Sequence, residues 1–207
     1  NNEQTENIQQ ENVKDRIENL FNQAISGEFK GKSISIGTLT DEGREYLEQI
    51  SGVVFKDKVD FVLNPSDLVH IYKDHFGNNE KDKGQNIPLD IEDIRNLADV
   101  ITMPDKVVFF KEGEGNNRNM FYFFKEAENG TYNLMEIYSD RRGNLTAKTF
   151  YKTRKDASQR VMDIKKSLLP TSETYFGAIL SDTKIPQMFE NPTIATEETA
   201  DEAGTSF

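Results

Sequence analysis

Two histidines make up the whole imidazole complement of this 207-residue chain, and both fall in His70-Ile71-Tyr72-Lys73-Asp74-His75. An i, i+5 spacing turns them about 140° apart on a helix. That argues against one shared metal ion, because two helical ligands on one face want i, i+4. One imidazole is therefore expected to face into the fold while the other lies near its rim. Lys73 follows His70 by three positions and shares its face. An imidazole that titrates near neutrality beside an ammonium suits proton transfer next to a phosphate. The plainer account makes His70 a packed side chain and His75 a C-terminal helix residue that complements the dipole.

The second constellation is Leu145-Thr146-Ala147-Lys148-Thr149-Phe150-Tyr151-Lys152-Thr153-Arg154. Read as a strand, it sends Leu145, Ala147, Thr149, Tyr151 and Thr153 to one face, and Thr146, Lys148, Phe150, Lys152 and Arg154 to the other. Either face combines an aromatic ring with hydroxyls or cations, the mixture with which an RNA-binding sheet stacks a base and holds phosphate. An ordinary half-buried strand has the same composition, since Thr and Tyr fit the pleat. Alternation does not decide which face is open. Residues 140–166 carry nine bases, Arg141 and Arg142 among them, against three acids, a local +6 in a chain of net charge −11. Such a stretch is either a track for a phosphate backbone or a solvated helix face.

Other chemistries fall away. The absence of cysteine removes disulfides, thiolate nucleophiles and cysteine zinc sites. Gly113-Glu114-Gly115-Asn116 lacks the further glycine and helix of a dinucleotide or phosphate-binding loop, and no Gly-x-Ser-x-Gly elbow occurs. Glu92-Asp93 sits at a helix start, and Glu112 with Glu114 lacks calcium-loop spacing. No metal or cofactor is expected. The acidic balance speaks against coating a polyanion or a membrane surface, and the apolar runs at 107–110 and 120–124 are too short to cross a bilayer. The chain opens at Asn1 without an initiator methionine or apolar leader, which reads as a fragment of something longer.

These residues need elements to hold them. Hydrophobic residues at 35% and charged residues at 29% predict a folded core with polar ends. Val13, Ile17, Leu20, Phe21, Ala24 and Ile25 mark one face of a helix closed by Gly27. A strand is expected at 33–37, a Thr40-capped helix at 41–50 and a strand at 59–63. After Asn64-Pro65-Ser66, a helix over 67–76 carries both histidines to Gly77. A charged loop leads to a helix capped by Asp90 and running to about residue 100. Beyond Pro104-Asp105, aromatic or β-branched runs at 107–111, 120–126, 132–139 and 145–153 are joined by turn residues, Asn129-Gly130 among them. They predict a four-stranded antiparallel meander, followed by a basic helix over 155–169 that stops at Pro170. The class is α+β. Residues 1–30 read as helix and linker, 31–186 as the α+β domain, and 187–207, with five acids and no base, as an acidic disordered tail.

In this order the segments resemble the phage-associated nucleases of the barnase–EndoU–colicin–RelE-like group. The resemblance rests on LVHIYKDHFG, IRNLADVITMPDKVVFF, MFYFFKE, NLMEIYS and LTAKTFYKT, with ISIGTLTDEGREYL similar to the lead-in of such domains. It covers roughly residues 33–169, and departs in having Met103 before Pro104 where a polar residue is expected.

What the resemblance implies is a metal-independent endoribonuclease without a cofactor, carried in large phage or mobile-element polyproteins and acting as a toxin or effector. Its substrate would be RNA, its partners an immunity protein or neighbouring polyprotein domains, and its place the bacterial host cytoplasm rather than a membrane. On that basis His70 and His75 match the histidine positions and Lys73 the base between them. Thr149 and Tyr151 match the last-strand motif, with Lys148 or Lys152 as the phosphate cation. The expected chemistry is attack of a ribose 2′-oxygen on the adjacent phosphate, with the two imidazoles moving protons in an unassigned order. Arg141, Arg142, Lys148, Lys152 and Arg154 would bind the RNA backbone. The competing expectation is a non-catalytic interaction or structural module that keeps the fold, favoured by a net charge that repels RNA.

Overall fold

Eight of the twelve largest fully buried side chains among the described residues are phenylalanines, and their alternation along the strands separates two packing surfaces. Residues 2–29, 33–77, 86–111, 118–139, 141–168, 175–176 and 184–190 are described by the computed structural model. In chain order the elements are α1 (Asn2–Ser26), β1 (Ile34–Leu39), α2 (Asp41–Ser51), β2 (Asp60–Leu63), α3 (Pro65–His75) and β3 (Asn86–Ile87). Then come α4 (Ile91–Arg95), α5 (Leu97–Thr102), β4 (Lys106–Lys111), β5 (Asn119–Ala127), β6 (Gly130–Ser139) and β7 (Asn144–Thr153). The last are α6 (Ala157–Leu168), β8 (Tyr175–Phe176) and β9 (Phe189–Glu190). The α+β class expected from the sequence is the one observed.

Helix starts follow local chemistry. The Thr40 hydroxyl accepts from Gly43 N–H at 2.9 Å, and Gly52 closes α2 in the left-handed region at φ +67°. Asp90 and Asp93 cap each other reciprocally at the start of α4. The single helix expected after Asp90 is interrupted at Asn96, which caps α4 and starts α5.

The meander β4-β5-β6-β7 is present, but it is only part of a larger sheet. Among the described residues the strand order is β8-β4-β5-β6-β7-β2-β1-β9, with β3 also on β7. The expectation of four strands is thus corrected: β2 adds to β7 in parallel, pairing Asp60–Val62 with Asn144–Thr146. Parallel pairing joins segments more than 80 residues apart and leaves no local sequence signature. β3 pairs the opposite end of β7, at Lys152 and Thr153. The middle of that strand edge is left to α3, the segment that connects β2 towards β3.

One face of the sheet packs against α1, α3, α4 and α5, with Ile17, Leu68, Ile71, Phe121, Phe123 and Phe150 in the main core. The other face carries a smaller cluster in which Ala157 and Val161 of α6 cover Val108, Phe110 and Phe124. In β5, Phe121 and Phe123 serve the first face while Tyr122 and Phe124 serve the second, as strand alternation requires.

The folded unit is wider at both ends than the sequence suggested. Val13, Ile17, Leu20, Phe21 and Ala24 of α1 belong to the main core. The tail boundary expected at 187 cuts through a docked segment: Met188 and Phe189 are buried, and the Phe189 ring meets Phe61 edge-on at 4.2 Å. Thr40 N–H donates to the Met188 carbonyl, and Met188 N–H to that of Thr102. The linker expected at 30–32, most of the charged loop after Gly77, and the tail beyond Glu190 lie outside the described residues. Among the described residues no helix is long and apolar enough to cross a membrane.

Candidate active site

β7 departs from simple alternation at one residue. Met135 of β6 faces Thr149 and Glu136 faces Ala147, so Lys148 has no opposite number and forms a β-bulge. A bulge inserts an extra residue and re-aims the side chains around it. Beyond it, Phe150 and Lys152 face the main core, opposite Leu134 and Tyr132. Thr149 and Tyr151, opposite Met135 and Asn133, lie on the α6 face. Lys148 lies at the changeover, and its ammonium reaches Asp67 of α3 at 2.9 Å.

α3 brings the imidazole to this point. Leu68, Ile71 and His75 recur at i, i+3 and i+7 and share one helical face. Leu68 and Ile71 are fully buried, which holds His75 against β7. Its Nε2 lies 3.2 Å from Thr149 Oγ1. Its ring stacks on Tyr151, with centroids 5.4 Å apart and planes at 27°. His70 is exposed at the rim, 3.2 Å from Asp74 through Nδ1, and its ring centroid is 6.5 Å from that of His75. Lys73 is exposed on the same helix.

Arg160, which sequence reasoning counted as a base but not as a site residue, completes the arrangement. Its Nη2 donates to the Tyr151 hydroxyl at 2.5 Å and its Nε to the buried Asn133 Oδ1 at 3.3 Å. The signal was available: Arg160 stands between the buried Ala157 and Val161 at i+3 and i+4 spacing, so it shares the inner face of α6. Because the Tyr151 oxygen accepts from Arg160, its own proton is left to donate outward.

The remaining cations separate by position. Lys152 is buried, each partner 8% exposed in its pair with Asp93 at 2.9 Å. The Tyr132 hydroxyl donates to the same Asp93 oxygen at 2.6 Å, and burial, with hydrogen bonding to this carboxylate second, pushes the phenol pKa upward. The structure therefore does not bring Lys152 to His75 or Thr149. Arg154 is exposed just beyond β7. Arg141 and Arg142 are exposed in the β6–β7 turn, seven and more residues before Thr149 and so about 20 Å along the strand.

Beneath the bulge lies Glu136, fully buried, with neither carboxylate oxygen hydrogen-bonded. Burial pushes its pKa well above the ordinary carboxylate range; the Lys148 charge opposes that shift and Asp67 adds to it. Sequence reading passed over Glu136, although strand alternation puts it on the same face as Tyr132, Leu134 and Tyr138 and so marks it as an inward polar position.

A mixed sheet that sets the His75 imidazole beside the Thr149 hydroxyl and the Tyr151 ring, with the Arg160 guanidinium on the Tyr151 hydroxyl, defines a candidate acid–base site for an anionic substrate. The family model described as phage-Barnase-EndoU-ColicinE5/D-RelE like nuclease3 matches residues 40–160, and the chain belongs to that family. The match begins at the Thr40 cap and ends at Arg160, so it spans α3, the meander and β7. No curated protein and no solved structure matches the chain.

Proposed function

We propose that this protein is a metal-independent endoribonuclease that cleaves RNA by attack of a ribose 2′-oxygen on the adjacent phosphate. The observation that carries the reading is the 3.2 Å approach of His75 Nε2 to Thr149 Oγ1, which sets an imidazole beside a hydroxyl, with the Arg160-bonded Tyr151 stacked on the same ring. A base removes the 2′-hydroxyl proton, the 2′-oxygen bonds to phosphorus, and an acid protonates the departing 5′-oxygen, leaving a 2′,3′-cyclic phosphate. His75 and His70, with ring centroids 6.5 Å apart, are the two proton-transfer groups, in either order. Lys148 and Arg160 oppose the charge that develops on phosphate oxygens, and Thr149 and Tyr151 position the group by donating to it. Lys73 and Arg154 flank the site as exposed cations. Arg141 and Arg142 would meet the RNA backbone farther along the strand, making affinity salt-dependent. In a phage-encoded protein the partners in keeping with this activity are an immunity protein or adjoining polyprotein domains.

The test is incubation of the full chain with single-stranded RNA in EDTA. Cleavage giving cyclic phosphate ends is expected, with a loss of about 10²–10⁴-fold in His75→Ala. RNA left intact, or cleaved equally fast by His75→Ala, overturns the reading. Binding without turnover would instead mark a non-catalytic RNA-binding module.

A further inference from the structure

Glu136 is a poor choice for its position on packing grounds alone. It sits in β6 between Phe121 of β5 and Ala147 of β7, fully buried, with both oxygens unbonded. A leucine or methionine would fill the same volume without burying an unmatched polar group, which is destabilising. The charged groups that act on it are Lys148 from β7 and Asp67 from α3, while its cross-strand neighbours Phe121 and Ala147 carry none. Lys148 therefore has two carboxyl groups within reach of its field, one at the rim and one in the interior.

The rim carboxylate is equipped to release its cation. Asp67 also accepts from Asn64 Nδ2 at 2.7 Å and lies in the first turn of α3, where the helix dipole favours a negative charge. It keeps those partners if Lys148 moves to another anion. An ionised Glu136 would have no such support and would draw the ammonium inward.

We propose that Glu136 is a positioning residue for Lys148: kept as a neutral carboxylic acid, it withholds a second anionic partner and leaves the ammonium at the rim, free to pass from Asp67 to a substrate phosphate. The transfer to phosphate rests on the nuclease reading above, whereas the coupling among Glu136, Lys148 and Asp67 does not. Ionisation of Glu136 at high pH then pulls Lys148 off the phosphate and weakens binding.

Two measurements on the full chain test this. Carbon-13 NMR of the carboxyl groups should show Glu136 titrating above the exposed glutamates, moving further up in Lys148→Met and down in Asp67→Asn. Fluorescence anisotropy with a 2′-O-methyl RNA oligonucleotide, which cannot be cleaved by 2′-oxygen attack, should show affinity falling about tenfold as pH passes the Glu136 midpoint, the loss expected for one charged hydrogen bond. Glu136→Gln should bind without that fall. Glu136 titrating with the exposed glutamates, or the same alkaline fall in Glu136→Gln, overturns the proposal. If the oligonucleotide binds at no pH while the coupled titration is present, the nuclease reading fails and the coupling stands.

Discussion

Replacing Lys152 with methionine separates the structural account of β7 from the one that alternation suggested. The ammonium lies 2.9 Å from Asp93 in a place where both side chains are 8% exposed, and 4.9 Å from the centroid of the Tyr132 ring. Orphaning a buried charge costs about 3–5 kcal/mol. Asp93 keeps the Tyr132 hydroxyl at 2.6 Å and Asp90 N–H at 3.0 Å, so the lower end, about 3 kcal/mol, is expected. With a urea m-value of about 2 kcal/mol/M, the unfolding midpoint should drop by about 1.5 M. Adding Asp93→Asn removes the stranded charge while keeping an amide that can meet the same neighbours, and should restore most of that loss. The assay is urea denaturation followed by circular dichroism, run alongside RNA cleavage on folded protein. An unchanged midpoint in Lys152→Met refutes the buried-pair argument. So does a folded Lys152→Met protein that has lost cleavage while Lys148→Met retains it.

Phe189→Ala should cost about 3 kcal/mol by opening a cavity against Phe61, and a thermal or urea melt like that of the wild type would show that the 184–190 segment is not part of the core. Glu136→Gln should be more stable than wild type near pH 8, with the gap closing towards pH 4. The sign follows from its raised pKa: as pH climbs past the ordinary carboxylate range the unfolded chain releases a proton that the folded chain keeps, at about 1.4 kcal/mol per pH unit until the native group ionises. Parallel pH–stability curves for the two proteins would contradict this. Arg160→Met should lower RNA cleavage about tenfold or more and cost about 1–3 kcal/mol of stability by orphaning the buried Asn133 Oδ1, and Arg160→Lys should not restore cleavage, because the forked contact to Tyr151 and Asn133 needs a guanidinium. Full activity in the lysine variant would count against that role.

The sequence by itself determined what is local. Helical spacing placed α1, α2 and α3, Asn-Pro-Ser and Gly77 bracketed the histidine helix, and Asn129-Gly130 marked the tightest hairpin of the meander. The i, i+5 histidine spacing implied one inward and one rim imidazole, and His75 and His70 occupy those positions. These features depend on chain stiffness and on side-chain period over a few residues, which the sequence records directly. Tertiary structure decided the rest. Strict alternation would put Lys148 with Phe150 and Lys152, but pairing with β6 inserts a bulge at Lys148 and sends its ammonium to α3 instead. The fate of Lys152 depends on Asp93, 59 positions away, and that of Tyr151 on a guanidinium from the next helix. Whether a cation is a core partner or a substrate ligand is set by which distant charge shares its dielectric surroundings. That is a property of the packed molecule, invisible along the chain.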